Sequence, residues 1–414
     1  RLSQTGKYFG IESHMLTPDE IPSVHPVIDN NAVIGAMYSP TDGTIDPTSL
    51  VNAYAKACKQ ESGGRRVVYE GVSVEKLQTS IENGKPKVSG VVTEGGQQIN
   101  AKWVVNAGGG WANTLTSDIP GSSLPLCTMR HAFVVTETIE GVKPSLPNVR
   151  DHDRSIYIKT QGNALALGGY ETNPIHWENP EKDFAFGLFD LDFDAFNQNL
   201  EGHLELCPQV EEAGIQSTVC GPESFTPDHK PLVGIHPKIN NYFVACGMNS
   251  MGIMLSGGLG LESANWIIDG SPDLDIFSFD IARFHPDCNL NSAQPTWLFD
   301  RSHESYAKTY AIVYPKDEPL AGRNCRLSGV HDTLEERGCI FQERHGFERP
   351  GYFEKNTKGE MKIKDYDFYG AYPEEKGEKY EHYPYRQIIE HECTFNWPAS
   401  HETVAEECKA AREG

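Results

Sequence analysis

Two strand-to-glycine junctions constrain this chain more than any other feature. Trp103-Val104-Val105 is a continuous apolar run, as expected of a strand covered on both faces, and it runs into Asn106-Ala107-Gly108-Gly109-Gly110-Trp111. Tyr242-Phe243-Val244-Ala245 reads as a second buried strand. It passes through Cys246-Gly247-Met248-Asn249-Ser250 into a helix expected from about Gly252 to Ile268 and closed by Gly270. A strand that ends in glycines lets backbone come close to a diphosphate or a flavin ring. A helix N-terminus presents unpaired N–H groups that can stabilise charge building on the N1/C2=O edge of a reduced flavin. Plainer readings stand beside these: a tight turn after any α/β strand, and a buried helix on a sheet with Gly257, Gly258 and Gly260 as close-packing positions.

A dinucleotide fold opens with strand–G-x-G-x-x-G–helix and an acidic residue about 20 positions on. The chain holds no such stretch; Gly258-Leu259-Gly260 lies inside the expected helix. Elsewhere Asp46-Pro47 caps a helix expected to run through Gln60 and to stop at Gly63-Gly64. Arg66 to Tyr69 reads as a short buried strand. Val88 to Thr93, the Gly95-Gly96 turn and Gln97 to Ile99 read as a hairpin. The middle third is strand-rich, with strands at Ala132 to Glu137, Ser155 to Ile158 and Ala164 to Gly168. There Phe193, Phe196, Leu200 and Leu204 share a helical face. Near residue 280 the periodicity fades and a domain boundary is expected. Glu402 to Arg412 is helical again.

Composition narrows the function classes. With 36 basic and 58 acidic residues the formal charge is −22, so phosphate neutralisation cannot drive nucleic-acid binding. No apolar run approaches ~18 residues, so no membrane-spanning helix is expected. The ten cysteines form no C-x-x-C pair and none has histidine at zinc-finger spacing, so no metal site is expected and the thiols read as buried and inert. Polar candidates in the middle third are His131, Arg150, Asp151, His152, Arg154 and Tyr157. An arginine near a flavin can hold a substrate carboxylate bidentately. Met248, Met251 and Met254 read first as helix packing, and the acidic loop Pro373 to Glu381 as solvated.

Taken together, Val104 to Ala112, Thr226-Pro227-Asp228 through Pro231 and Gly234, and Gly247 to Gly252 resemble the flavin segments of the D-amino-acid-oxidase-like flavoproteins. Asn148 to Asp153, Cys220 to Phe225, Arg301 to Tyr306 and Asp317 to Asn324 narrow the likeness to the dimethylglycine and sarcosine dehydrogenase family, on its sarcosine side. The resemblance implies a mixed α/β and α+β fold. It comprises a truncated FAD-binding Rossmann-like domain with an interleaved antiparallel-sheet substrate domain (1–278), a middle domain (279–336) and the beginning of an aminomethyltransferase-like folate domain (337–414). His345-Gly346-Phe347-Glu348-Arg349-Pro350 opens that last part. The chain then reads as an internal fragment lacking the G-x-G-x-x-G unit and inactive alone.

The implied activity is oxidative demethylation of sarcosine to glycine in mitochondrial one-carbon metabolism. Hydride passes from the N-methyl group to FAD, the one-carbon unit to tetrahydrofolate and electrons to electron-transfer flavoprotein. The implied cofactor residues are Val74, Asn106, Ala107, Gly108, Gly109, Trp111, Gly247, Met248, Asn249, Ser250, Met251, Gly252 and Ile253. His131 and Tyr157 fall on the catalytic side and Arg150 on the substrate. Phe133 stands where dimethylglycine dehydrogenases carry tyrosine. Two alternatives share this architecture: dimethylglycine dehydrogenase, and the non-catalytic regulatory subunit of pyruvate dehydrogenase phosphatase.

Overall fold

A computed structural model describes residues 2–178, 180–181, 184, 187–284, 297–311, 313–315, 317–319, 321–353, 363–365, 387–389, 395–398 and 400–414. The acidic loop 373–381 lies outside them. Along the chain come α1 (Leu2–Tyr8), β1 (His14–Leu16), α2 (Ile21–Val24), β2 (Ala36–Tyr38), α3 (Pro47–Glu61), β3 (Val74–Glu82), β4 (Lys85–Thr93), β5 (Gln98–Asn100) and β6 (Val104–Asn106). Then follow β7 (Cys127–Thr136), β8 (Val149–Asp151), β9 (Ile156–Gln161), β10 (Ala164–Gly169), α4 (Phe193–Leu206), β11 (Ile215–Phe225), β12 (Leu232–Ile235), β13 (Tyr242–Cys246) and α5 (Gly252–Asp269). The last part holds α6 (Trp297–Ala307), α7 (His331–Glu336), β14 (Cys339–Arg344), β15 (Phe347–Phe353), β16 (Ile363–Asp365), β17 (Gln387–Ile389) and α8 (Ser400–Glu413).

The chain divides into two compact units, each built from separated segments. The first comprises Arg1–Ser73, Arg130–Glu171 and Phe184–Pro222. Its framework is a sheet of order β11-β7-β10-β9-β8. Cross-strand neighbours share a face, and the face alternates at each residue. Val134, Leu167, Ile158 and Val149 therefore line up on one side. There they bury against Phe196 and Leu206 of α4. Phe133, Gly168, Tyr157 and Arg150 form the adjacent row, on the opposite side. The cap expected at Asp46 is present: its carboxylate accepts from the Ser49 N–H at 2.7 Å, and α3 starts at Pro47.

The second unit comprises Val74–Met129, Thr172–Asp183 and Glu223–Gly414. It holds the β3-β4-β5 meander and a sheet of order β12-β13-β6. Strand β6 runs parallel to β13, with Asn106 beside Val244. Helix α5 covers Val233 and Phe243 through Leu259, and Trp266 meets Phe243 edge-on at 5.7 Å. Further on, Arg301 pairs with Glu343 at 2.8 Å. The guanidinium of Arg323 donates to both oxygens of Glu348, at 2.8 and 2.7 Å. That bidentate pair holds the Glu348 carboxyl below its usual range against the opposing effect of burial.

Three expectations need correction. Residues 66–69 form no strand, and Val67, Val68 and Tyr69 are 55–71% exposed. An apolar run becomes a buried strand only where ladder partners flank it, and no described strand pairs with this one. Strand β6 is not covered on both faces: Val105 is 48% exposed, on the face that no described element covers at this position. Helix α5 begins and ends where expected, with Gly270 at φ +87 closing it, but buries only Leu259 and Glu262. A Cβ added at Gly258 or Gly260 meets nothing within 4 Å among the described residues, so neither is a close-packing position there. No described helix is long and apolar enough to cross a membrane.

Candidate functional site

Two loops leave the same end of neighbouring parallel strands. In parallel sheets that end is where ligands sit, because the loops diverge there and helix N-termini point toward the crevice. The first loop follows β6. Asn106 is buried and ties it down: its amide Nδ2 donates to the Ala112 carbonyl at 2.8 Å and to the Tyr242 hydroxyl at 2.6 Å. Its Oδ1 accepts from the Gly108 N–H at 2.9 Å. The Tyr242 phenol is pushed up by burial and remains a neutral hydroxyl. Ala107 and Gly108 are exposed. Trp111 is held from the side: its indole N–H donates to the Glu181 carbonyl at 2.8 Å, and it meets Trp177 edge-on at 5.5 Å.

The second loop follows β13. Gly247 has φ +63, and a Cβ there would lie 2.8 Å from Thr226 Cγ2, so both backbone and space demand glycine. Asn249 and Ser250 follow in consecutive left-handed conformations, φ +49 and +62, which successive non-glycine residues adopt only when held. Asn249 is fully buried. Its Oδ1 accepts from the Thr226 N–H at 2.9 Å and its Nδ2 donates to the Gly247 carbonyl at 2.7 Å. The Ser250 hydroxyl donates to the Glu223 carboxylate. Helix α5 starts at Gly252 with no side-chain cap, and Ile253 is 42% exposed. Met248 packs with the cluster around Phe243 and Leu259 from the loop before α5, and the Met251 N–H donates to its carbonyl at 2.9 Å; Met254, also expected to pack, is 65% exposed.

These residues fit a flavin. The glycines of the two loops and an uncapped helix start leave backbone where a planar ring needs close approach and where an electron-rich edge needs N–H donors. Val74 lies at the start of β3, opposite Thr93, and is 42% exposed.

In the first unit His131, on β7, has Nε2 3.1 Å from the Tyr157 hydroxyl and stacks on Tyr170 with ring centroids 4.8 Å apart. Both share the sheet face that carries Phe133 and Arg150. Arg154 is structural instead: it pairs with Asp151 at 2.6 Å and Glu205 at 2.9 Å. The eight described cysteines are free, but the expectation that they are buried fails at Cys58 and Cys408, which are exposed. Burial pushes the Cys127 and Cys246 thiols up to about 12, so both stay protonated. No described group of three His, Cys, Asp or Glu side chains is placed to hold a metal ion.

Thr226, Glu223, Tyr242 and Tyr170 were not singled out from sequence. Thr226 opens the Thr-Pro-Asp segment, which was a signal for the segment but not for its bond to Asn249. The other three became visible only once strands were paired.

The "FAD dependent oxidoreductase" family matches residues 1–266, and the "FAD dependent oxidoreductase central domain" matches residues 269–328. The chain belongs to the FAD dependent oxidoreductase family. Among its relatives in this family, human mitochondrial sarcosine dehydrogenase is 46% identical over 413 residues, covering 100% of this chain and 44% of that protein. The mouse pyruvate dehydrogenase phosphatase regulatory subunit is 33% identical over 357 residues, covering 85% of the chain and 39% of that protein. Thus the chain spans less than half the length of these relatives. Glycine oxidase from Geobacillus kaustophilus superposes with a TM-score of 0.53 at 26% identity, covering 68% of this chain and 69% of that one. The family membership fixes FAD as the cofactor class and agrees with the donor set at the two strand ends.

Proposed function

We propose that the protein carrying this chain oxidises sarcosine to glycine, passing the one-carbon unit to tetrahydrofolate and electrons to electron-transfer flavoprotein. The observation that carries this reading is the pairing of the two strand-end loops in a chain 46% identical to sarcosine dehydrogenase over its whole length. When bound, FAD supplies a two-electron oxidant for the amine.

In this reading the chain's residues bind, orient and exclude water. Asn106 to Trp111 and Gly247 to Ile253 hold the ring system, and Val74 meets the adenine side through its backbone. Asn249 fixes the second loop through Thr226, so its amides are set before the cofactor arrives. His131 Nε2, 3.1 Å from the Tyr157 hydroxyl, accepts the proton that the substrate ammonium gives up through Tyr157 Oη, which leaves the substrate nitrogen neutral. Arg150, in the same cross-strand row as Tyr157, has the planar fork that receives a carboxylate. Residues 1–278, 279–336 and 337–414 are the oxidoreductase, middle and incipient folate domains, and the mitochondrial matrix is the compartment.

The test is anaerobic addition of sarcosine to the full-length flavoprotein. The flavin absorbance should bleach, and faster with sarcosine than with dimethylglycine. A flavin-loaded protein that neither amine bleaches would contradict the enzymatic reading and favour a binding role like that of the phosphatase regulatory subunit.

A further inference from the structure

We infer that Gly168 is a positioning residue for Tyr157, and that its missing side chain sets where the Tyr157 hydroxyl meets His131. The inference rests on the proposal that this sheet face is the substrate side. Gly168 lies directly across from Tyr157 in the β9–β10 ladder. A Cβ built on Gly168 would fall 2.3 Å from both Cζ and Oη of Tyr157 and 2.9 Å from Cε1. The clash is with the hydroxyl-bearing end of the ring, so the phenol lies flat across the bare backbone of β10.

Four further observations give that placement a purpose. Gly168 has no positive φ, so its backbone does not require glycine; only the ring does. On the next strand Phe133 stands opposite Gly168, and His131 lies two residues from it on the same face. The tyrosine therefore crosses the glycine to bring Oη within 3.1 Å of His131 Nε2. The histidine is in turn fixed by its stack on Tyr170. From beneath, His203 of α4 lies with Nε2 3.1 Å from the Tyr157 carbonyl. Burial lowers the pKa of that histidine and keeps it neutral, so it donates there through N–H. The backbone of Tyr157 is thus held from the core side while its ring lies across the bare backbone of Gly168. Any side chain at 168 lifts the ring and parts Oη from His131.

The experiment uses the full-length flavoprotein and four variants: Gly168→Ala, Tyr157→Phe, Tyr157→Ala and the Gly168→Ala/Tyr157→Ala double. Gly168→Ala should retain flavin and slow sarcosine-driven reduction on the order of tenfold to a hundredfold. It should also take on the altered pH profile of Tyr157→Phe, which a purely structural defect would not do. In the thermal midpoint, Gly168→Ala should cost stability beside Tyr157 and nothing once the ring is gone in Tyr157→Ala. If Gly168→Ala does not fold, the double variant should. Wild-type kinetics in Gly168→Ala, a slower rate with an unchanged pH profile, or an equal loss of stability in both backgrounds would overturn the inference. Failure of sarcosine to reduce the wild type would instead sink the proposed substrate and leave the thermal comparison intact.

Discussion

At the scale of single residues, the candidate site is held by buried polar groups that find hydrogen-bond partners within it. Asn249 adopts a left-handed conformation because its amide closes bonds to Thr226 and Gly247 that water cannot replace. His236 behaves in the same way next to the sheet. The Lys238 N–H donates to its Nδ1 at 3.2 Å, so Nε2 carries the proton and donates to the Ser122 carbonyl at 3.2 Å. Burial, aided by the Lys238 charge and opposed by the Ser122 bond, pushes its pKa down to about 4. Burial does the same to His229. Both are neutral when folded and protonate near 6.5 when unfolded. Their stabilisation is complete above about pH 6.5 and is lost as pH falls toward 4, by at most about 3 kcal/mol for a full shift. Urea midpoints should therefore drop between pH 7.5 and 5, and His236→Gln should flatten that drop. A variant with the wild-type slope would place the acid sensitivity elsewhere.

At the scale of elements, the strands read at 132–137, 155–158 and 164–168 fall on β7, β9 and β10, because their apolar residues form a buried row against α4. Ile158 and Leu167 announce their face without help from the rest of the molecule. What the chain could not announce was partnership. Nothing local to Gly168 says that Tyr157 stands opposite, since that depends on the β9–β10 register. The same limit explains residues 66–69, where β-branched residues promised a strand and no ladder received it. The exposure of Val105 depends on what packs over its face of the sheet, which is also non-local. The α4 helix supplies the check on this layer. Phe196 is 1% exposed between α4 and the sheet, and Phe196→Ala should cost about 3–5 kcal/mol. Chemical denaturation should give a lower midpoint with an unchanged slope; a loss under 1 kcal/mol would mean that α4 does not anchor this sheet.

At the scale of the whole molecule, the two glycine-bearing junctions allow close backbone approach and equally a plain turn or a packed helix; the cofactor class comes from the family those segments resemble and match. The residues that hold those junctions in shape, Thr226, Tyr242 and Glu223, were not legible in the sequence, since each acts across a long stretch of it. A formal charge of −22 says nothing about which amine the chain meets. The claim on which the account turns is spatial: the loops after β6 and β13 together wall the isoalloxazine. Electron density for the full-length protein purified with its flavin tests this directly. The ring should lie in van der Waals contact with both Gly108–Trp111 and Gly247–Ile253. A ring bound elsewhere, or touching only one of the two loops, would contradict it.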